Sequence, residues 1–319
     1  MTQDLSKNKT YKLEYNGIGA DYFGILIVNR LLTAVTLGFY HPWAKAKELQ
    51  YLYQETTLND EPFTFHGTGK EMFMGFIKAV GIFGLLLAVF GIFVYLKMPF
   101  AAIIIFYFSL IAIFPFAIHG TYKYRMSRTS WRGIRFGYRG DLKIFAMNFF
   151  KWIGLTIVTI GIYSPWFSIN IRKYLLSNIR FGSANFNYKG DGAEYFVIFI
   201  KGYFLTIITL GIYSFWWQKD IFDYYINNIS LHKGDEKMQF ESTVTGGGIF
   251  ELTVVNMFIL IFTLGLGFAW AQTRTMKYLL SNIKLSGNLD LDDITQTEAN
   301  YKDASGEDIS DMLDMDFVM

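Results

Sequence analysis

Long apolar stretches dominate the chain. Four of them, at residues 22–44, 144–171, 195–218 and 252–273, contain at most one charged residue each. A fifth, at residues 72–118, contains only Lys78 and Lys97 and is divided near Pro99, because proline disfavours helix at the residue before it. A helix needs roughly 20 apolar residues to cross a bilayer. The pattern therefore predicts about six transmembrane helices, two of them joined as a hairpin.

One phrase recurs near the end of the four single stretches. It occurs at residues 36–43 (TLGFYHPW), 159–166 (TIGIYSPW), 209–216 (TLGIYSFW) and 263–270 (TLGLGFAW). Its glycine suits the end of one helix, and proline suits the start of the next. A tyrosine follows eight residues after each tryptophan, at Tyr51, Tyr174, Tyr224 and Tyr278. The phrase indicates a turn between an apolar helix and an amphipathic one.

Alternating apolar and polar residues follow each amphipathic helix. Residues 179–190 (IRFGSANFNYKG) indicate two strands around a turn, and similar pairs are predicted at 58–67, 131–140 and 283–291. A half copy stands at residues 13–17, and a stretched copy at 229–246. The predicted fold class is a mainly α-helical membrane protein. It has about six hydrophobic helices in roughly five internal repeats, each followed by an amphipathic helix and a short β-hairpin.

These phrases resemble a known family. The recurring Phe-x-Phe/Tyr-x-Gly and Thr-Leu-Gly-x-Tyr-x-Pro-Trp patterns are similar to those of the YjgN-like bacterial inner-membrane proteins, from about Tyr11 to Leu291. The resemblance implies a multi-pass protein of the bacterial inner (cytoplasmic) membrane. It implies no activity, because the family is a domain of unknown function with no catalytic residues to carry over.

Composition supports a membrane protein and separates off a tail. Charged residues make up 18% of the chain, against a usual share of about 25%. From Asn288 onward there are ten acidic residues and one basic residue, which leaves 28 basic against 17 acidic residues in the body. We predict a membrane domain at residues 1–291 and an acidic, disordered tail at 292–319. The absence of cysteine excludes disulfides and cysteine-based metal sites.

Two membrane arrangements fit the repeat. If each apolar stretch crosses once, the β-hairpins alternate sides and basic residues divide almost evenly between them. If each apolar helix pairs with its amphipathic partner, all β-hairpins share one face, and nearly all basic residues become cytoplasmic, as the positive-inside rule expects. The second arrangement must accommodate Arg172, Lys173, Lys219, Asp220 and Asp223, which would have to face one another or a watery cavity.

Charged residues inside the apolar stretches are the first candidate site. Lys78, Lys151 and Lys201 occupy equivalent places, seven residues after Glu71, Ile144 and Glu194, and Arg30 stands nearby in the first stretch. Such residues can mark a polar path through the membrane. Alternatively, their long side chains reach back to the head groups. Both interpretations stay open.

A basic cluster is the second candidate site. It comprises Lys123, Arg125, Arg128, Arg132, Arg135, Arg139 and Lys143, with Asp141 as its one acid. Beside a transmembrane helix such a cluster attracts anionic lipid head groups, or it serves simply as a topology anchor. Its position argues against nucleic acid as a partner. The predicted partner is the lipid bilayer itself, and the sequence does not determine the oligomeric state.

The sequence features favour three function classes to different degrees. Internal repeats with polar intramembrane residues favour membrane transport or a channel. A lipid-binding or scaffolding protein would use the basic face and the β-hairpins instead. A membrane enzyme is least favoured, because the sequence contains no nucleophile motif, acid–base pair or nucleotide fingerprint. The four histidines are scattered and lack the spacing of a metal site. We predict no catalytic residue, metal or cofactor.

Overall fold

The structure is a computed structural model that describes residues 9–297. One strand opens this part of the chain, and the order helix, helix, strand, strand then follows four times before a last helix pair and strand. The strands are β1 (Lys9–Tyr15), β2 (Thr56–Leu58), β3 (Glu61–Phe65), β4 (Thr129–Trp131), β5 (Ile134–Tyr138), β6 (Ile179–Phe181), β7 (Ala184–Tyr188), β8 (Ile229–Lys233), β9 (Glu236–Ser242) and β10 (Ile283–Gly287).

The helices come in consecutive pairs. They are α1 (Gly19–Val35) and α2 (His41–Gln54), α3 (Gly69–Tyr95) and α4 (Pro99–Ser127), α5 (Leu142–Val158) and α6 (Ser164–Ser177), α7 (Gly192–Ile208) and α8 (Ser214–Asn227), and α9 (Gly246–Phe262) and α10 (Phe268–Ser281). We refer to α3–α4 as the long hairpin and to the other four pairs as the short hairpins. A 3₁₀ turn at Leu291–Asp293 follows β10.

The ten strands form one closed antiparallel barrel. Each strand pairs with its neighbour in the chain, and β1 closes the barrel against β10, with Tyr11 opposite Leu285. Because neighbouring strands run in opposite directions, every helix pair leaves and re-enters the barrel at the same rim, which we name the helix rim. The tight turns at residues 59–60, 132–133, 182–183 and 234–235 lie at the opposite rim, the turn rim.

Aromatic side chains fill the barrel. Phe63, Phe136, Phe186 and Phe240 pack in sequence around its inside, with successive ring centroids 6.2, 6.3 and 6.1 Å apart. Trp131 is almost fully buried in the same core. Offset aromatic contacts of this kind add to the apolar area that they bury. The barrel interior is therefore a packed core rather than a channel.

The helices form a second closed ring at the helix rim. Each helix contacts its neighbours in the chain, and α10 contacts α1. The second helix of each pair also packs on a strand: α2 on β3, α4 on β5, α6 on β7, α8 on β9 and α10 on β1. The ring and the barrel are thus one continuous structure, with all helix pairs on the same side of the barrel.

The predicted fold class was wrong in two respects. The strands do not form separate β-hairpins but close into one ten-stranded barrel. Within residues 9–297, only α3 and α4 are long and apolar enough to cross a membrane. The first helices of the short hairpins have 17 residues each, or about 25 Å at 1.5 Å per residue, short of a hydrocarbon core of about 30 Å.

The error has a simple physical cause. Each predicted stretch ran through the Thr-Leu-Gly turn into the next helix, so apolar length was summed across a reversal of the chain. The strand turns, by contrast, lie where the alternation predicted them, as at Phe181 opposite Ala184. Since all strands belong to one barrel, the arrangement with alternating β-hairpins does not fit the fold.

A C-terminal strap, defined as residues 288–297, covers the turn rim. Leu289, Leu291 and Ile294 are buried against the barrel core. Lys9 pairs with Asp290 and Arg132 with Asp292. The predicted acidic tail thus begins, in its described part, with a packed segment. The disorder predicted for the remainder falls on residues 298–319, outside the described part of the chain.

Candidate functional site

The tips of the four short hairpins share one hydrogen-bonded turn. In the first, the Thr36 hydroxyl donates to the Leu32 carbonyl (2.7 Å) and accepts from the Tyr40 N–H (2.9 Å). Thr159, Thr209 and Thr263 make the same two bonds in the other tips. Every backbone N–H from this threonine to the fifth residue after it has an acceptor within its own hairpin. The tips therefore need no water to satisfy these donors.

The residue after each threonine is apolar and points outwards. Leu37, Ile160, Leu210 and Leu264 are 90, 94, 93 and 93% exposed. Their backbone φ angles are all positive, between 50° and 52°, a conformation that glycine or asparagine adopts far more easily. A turn in water would favour those polar or flexible residues. Leu and Ile at these exposed positions suit apolar surroundings better than water.

The long hairpin has the same kind of turn with a different side chain. Lys97 takes the corresponding positive φ, 59°, and its N–H donates to the Val94 carbonyl. The helices on either side contain 27 and 29 residues, about 40 Å each at 1.5 Å per residue. A lysine at this tip is consistent with water beyond the far side of a bilayer.

The structure disperses the predicted intramembrane charges. Arg30, Lys78, Lys151 and Lys201 lie on α1, α3, α5 and α7, which are not neighbours in the helix ring. Arg30 lies 5.6 Å from the Phe268 ring centre, and Lys201 lies 3.6 Å from the Asp220 carboxylate. Lys151 is exposed and Lys78 half-buried. The fold therefore does not bring these four charges together.

Asn29, which is buried, and Asn256, which is half-buried, are polar positions that the sequence analysis did not propose as a site. Asn29, 2% exposed, donates from Nδ2 to the Ala44 carbonyl at 3.1 Å. Asn256 donates likewise to the Ala271 carbonyl at 3.2 Å and to Thr275 Oγ1 at 3.0 Å. Both acceptor carbonyls stand fifteen residues further on, in the second helix. The signal was the shared Val-Asn at residues 28–29 and 255–256.

The structure also separates the residues of the basic cluster into different parts of the fold. Arg128 is 3% exposed, and its guanidinium lies 3.2 Å from Glu71 on the neighbouring helix. Arg132 lies at the turn rim, where it pairs with the strap. Arg135 belongs to the short strand β5 between the two rims. The remaining four lie where α4 and α5 meet the helix rim: Lys123, Arg125, Arg139 and Lys143.

A cavity of about 600 Å³ lies between α8, α9 and α10. Its size falls within the range of small-molecule sites, roughly 300–1,000 Å³. Phe222 in its wall also packs on the barrel core. Apolar side chains form most of the wall, and the polar members are Gln218, Tyr225, Thr253, Asn256 and Thr275. Asn256 Oδ1 is buried and has no hydrogen-bond partner within residues 9–297.

Polar side chains from neighbouring helices support one wall of this cavity. The Tyr225 hydroxyl lies 2.8 Å from the Tyr195 hydroxyl and 3.4 Å from Ser168 Oγ. The Arg172 guanidinium stacks on the Tyr225 ring, 3.7 Å from its centre. A cation over an aromatic face is attracted by the ring electrons. The cavity therefore has an apolar interior, and a positive charge is stacked on one of its aromatic wall residues.

Three histidines in the described part of the chain have local hydrogen-bond partners. No group of three His, Asp or Glu side chains there could hold a metal. His66 lies 2.8 Å from Ser130 Oγ, His119 lies 3.0 Å from the Gly140 carbonyl, and His232 lies 2.9 Å from Ser230 Oγ. Burial lowers the pKa of His66 and His232. These histidines serve packing and local hydrogen bonding.

Comparison with known proteins identifies relatives. The sequence profile of DUF898, described as bacterial protein of unknown function, matches residues 10–190, 184–235 and 217–312. The inner membrane protein YjgN of Salmonella typhimurium is 31% identical over 168 residues, which cover 47% of this chain and 38% of the relative. YjgN of Escherichia coli K12 is 31% identical over 137 residues, 43% of this chain and 33% of the relative. The matched segment thus spans about a third of these relatives' length, and no solved structure matches.

Proposed function

We propose that this chain, which belongs to the DUF898 family of bacterial proteins, is a lipid-binding protein of the bacterial inner membrane. In this proposal the long hairpin crosses the bilayer, the four short hairpins enter it and turn back, and the barrel lies in the cytoplasm. The relatives' description as inner membrane proteins supports the compartment. Within residues 9–297, α3 and α4 are the proposed crossings.

The four apolar tips carry the proposal. In hydrocarbon an unsatisfied backbone donor costs several kcal/mol, so irregular backbone is tolerated only where its polar groups are paired. Each tip meets this condition for six consecutive N–H groups while exposing Leu or Ile. A water-exposed turn would need neither feature. The short hairpins therefore suit insertion to a depth of about 20 Å, within one bilayer of about 30 Å.

The helix rim then lies at the head groups. Lys123, Arg125, Arg139 and Lys143 are at this level, at the base of the long hairpin. Each basic residue near an anionic membrane surface contributes roughly 1 kcal/mol. Trp43 and Trp166 pack against Gly69 and Gly192, at the starts of α3 and α7, and so suit the same interface. The proposed activity is the gathering of anionic lipid around a fixed cytoplasmic barrel.

Membrane transport or a channel is the second candidate. The cavity between α8, α9 and α10 favours it, because a solute site near membrane helices could load from either side. Against it, the barrel core is filled and the strap covers the turn rim, so the described residues leave no open path through the barrel. The lipid-binding proposal requires no such path.

Single cysteines test the arrangement, since the chain contains none of its own. We expect Lys97→Cys to react with an impermeant maleimide in intact cells and Asp235→Cys, at the turn rim, to react only after lysis. Leu210→Cys should resist the impermeant reagent in both cases and react with it only after denaturation in sodium dodecyl sulfate, because the thiolate that attacks maleimide does not form in hydrocarbon. Labelling of Leu210→Cys by the impermeant reagent from either side would overturn the re-entrant arrangement.

Lipid retention tests the function itself. Protein purified in mild detergent from mixed phosphatidylglycerol and phosphatidylethanolamine should retain mainly the anionic lipid. An Arg139→Gln/Lys143→Gln variant should retain several-fold less, whereas Lys12→Gln on the exposed side of β1 serves as the matched control. Equal retention by all three proteins would exclude a head-group role for the helix rim.

A further inference from the structure

Arg172 on the second helix α6 differs from Lys219 and Arg128 in its contacts, because those two residues form ion pairs. On α8, Lys219 lies 2.8 Å from Asp223 and 3.5 Å from Asp220, as expected if these charges face one another. Directly after α4, Arg128 pairs with Glu71. Arg172 on α6 is half-buried, and within residues 9–297 it makes neither an ion pair nor a hydrogen bond, only the stack on Tyr225.

An arginine in this setting is chemically suited to an anion. The guanidinium carries five N–H donors in a planar fork that matches a carboxylate or a phosphate in two parallel bonds. Stacking on Tyr225 occupies one face of the group but leaves its edge of donors available. A half-buried charge with no counter-charge in the protein is costly. A bound anion would remove that cost.

The neighbouring cavity suits an apolar chain. Tyr225 belongs both to the stack with Arg172 and to the cavity wall. Beyond it the wall is formed by Phe222, Leu252 and Leu260, with Met257 near the opening. Asn256 Oδ1 adds one buried acceptor, which a hydroxyl group could satisfy. A single molecule with an anionic end and an apolar chain would match both features.

We propose that Arg172 and the cavity between α8, α9 and α10 form a binding site for an anionic amphiphile with one acyl chain. The carboxylate or phosphate binds the Arg172 guanidinium, and the chain lies in the cavity. The inference rests on the proposed membrane placement, because the bilayer supplies such molecules. It concerns a different site from the basic residues of the helix rim.

Binding is measured on delipidated protein in a neutral detergent by equilibrium dialysis and native mass spectrometry. The probes are oleate, oleoyl lysophosphatidylglycerol and the uncharged oleyl alcohol. We expect saturable binding of one or both anions and at least tenfold weaker binding of the alcohol. Preference for oleate identifies a free fatty acid, and preference for the lysophospholipid identifies a lipid phosphate. Equal binding of all three probes would overturn the role of the charge.

Variants locate the site. Arg172→Gln should weaken anion binding at least tenfold, whereas Lys173→Gln, an exposed neighbour on the same helix, should leave it unchanged. Arg172→Lys should recover part of the affinity, because the charge returns without the planar fork. Met257→Trp should reduce binding of the long chain but not of acetate. An unchanged affinity in Arg172→Gln, with an unchanged melting temperature, would exclude the site.

The two proposals fail separately. Arg139→Gln/Lys143→Gln removes charge at the helix rim and should leave binding of the single-chain probes unchanged. If this variant abolishes probe binding while Arg172→Gln does not, the anion binds at the rim and the Arg172 site is wrong. If cysteine labelling contradicts membrane insertion while Arg172 still governs oleate binding, the site stands and the re-entrant arrangement is wrong.

Discussion

The long hairpin and the short hairpins begin from the same barrel rim and end differently. At the tip of the long hairpin, Lys97 occupies the residue with positive φ. At the tips of the short hairpins, that residue is Leu or Ile, and it is at least nine-tenths exposed. The turn is nearly the same in both cases, with three successive N–H groups donating to the end of the first helix.

Because nearly the same turn carries Lys97 in one case and Leu or Ile in the others, the turn itself does not determine the environment of the tip. Helix length decides how far each tip reaches, and the side chain at the positive-φ position matches what it meets there. In the proposed membrane placement, about 40 Å of helix carries Lys97 beyond a hydrocarbon core of about 30 Å, whereas about 25 Å leaves Leu210 inside it. One barrel would then support a crossing pair and four partial insertions.

The bases of the hairpins differ as well. A substitution at the base of the long hairpin is expected to have the largest effect on the free energy of unfolding. Glu71 at the base of the long hairpin pairs with buried Arg128 and accepts from the Tyr124 hydroxyl at 3.1 Å. Glu71→Gln leaves Arg128 without its carboxylate, and breaking a buried pair in this way costs about 3–5 kcal/mol. We expect a loss of about 3 kcal/mol in the free energy of unfolding, measured by denaturation in mixed micelles.

Glu194→Gln is the matched control for this prediction. Glu194 accepts from the Tyr224 hydroxyl at 3.2 Å, but Asn228 stands where the long hairpin has Arg128. Its substitution should cost about 1 kcal/mol, the usual value of one hydrogen bond. Equal losses in the two variants would show that Arg128 does not depend on Glu71.

The second largest effect is expected from a charge placed at the tip of a short hairpin. Leu210→Lys would put an ammonium group into hydrocarbon, at a cost of about 2–3 kcal/mol by translocon insertion scales. Less protein should reach the membrane, and its melting temperature should fall. Lys97→Leu at the long tip should have a much smaller effect. Membrane yield and thermal denaturation in reconstituted bilayers measure both.

Backbone strain must be separated from lipid contact in this experiment. Leu210→Asn keeps the side chain uncharged and fits the positive φ better than leucine does. A stable Leu210→Asn beside an unstable Leu210→Lys would locate the cost in the charge. If Leu210→Lys is as stable as the unsubstituted protein, the tip lies in water and the distinction between long and short hairpins fails.

The helices, strands and turns could be predicted from the sequence, but the closure of the strands into one barrel could not. The Thr-Leu-Gly phrase marks each turn between helices, and alternation marks β6 and β7 around their turn. The pairing of Tyr11 with Leu285 joins strands from opposite ends of the described chain. Strands of three residues such as β2 and β4 carry too little pattern to reveal such a partner. In the fold, pairing with a strand on each side holds them in the barrel.

The candidate site was predictable only in part. The lysines were visible as charges in apolar stretches, yet the fold separates them. Arg172 was visible as a costly polar residue, but its distance from Asp220 and Asp223 depends on how the second helices pack. The strap was obscured by its acids, because Leu289, Leu291 and Ile294 are too widely spaced among them to indicate a core.

Buried tyrosines before the short hairpins provide a smaller test. The hydroxyl of Tyr188 is buried without a hydrogen-bond partner among the described residues, and burial raises the pKa of that group above its usual value. Phe65 stands at the corresponding place before the long hairpin, two residues ahead of Gly67 as Tyr188 is ahead of Gly190. Tyr188→Phe should therefore be neutral or stabilising by up to about 1 kcal/mol, because it removes an unsatisfied polar group.

Tyr195→Phe is the control for that substitution. Its hydroxyl lies 2.8 Å from that of Tyr225, so removing it should cost about 1 kcal/mol. Melting temperatures of the two variants in the same detergent make the comparison. A loss of stability in Tyr188→Phe as large as that in Tyr195→Phe would show that the Tyr188 hydroxyl has a partner after all.

The smallest expected effect is a pH dependence at the base of the long hairpin. His66 follows β3, lies 2.8 Å from Ser130 Oγ, and has its pKa lowered by burial and by the charges of Arg135 and Arg128. An unfolded histidine has a pKa of about 6.5. Because the folded pKa is lower, the stability that neutral His66 contributes is fully present above about pH 6.5. It is lost as the pH falls through the folded value.

Asparagine is the natural replacement for this test, because Asn16 stands at the corresponding place before the first short hairpin. His66→Asn should flatten the fall in melting temperature between pH 7.5 and 5.5, by an amount equivalent to less than about 1 kcal/mol because His66 is partly exposed. His232, whose pKa is also lowered, titrates in both proteins and so cancels from the difference. Identical slopes in the two proteins would mean that His66 stays neutral or stays charged in both states. The arginines around it would then not distinguish the base of the long hairpin from those of the short ones.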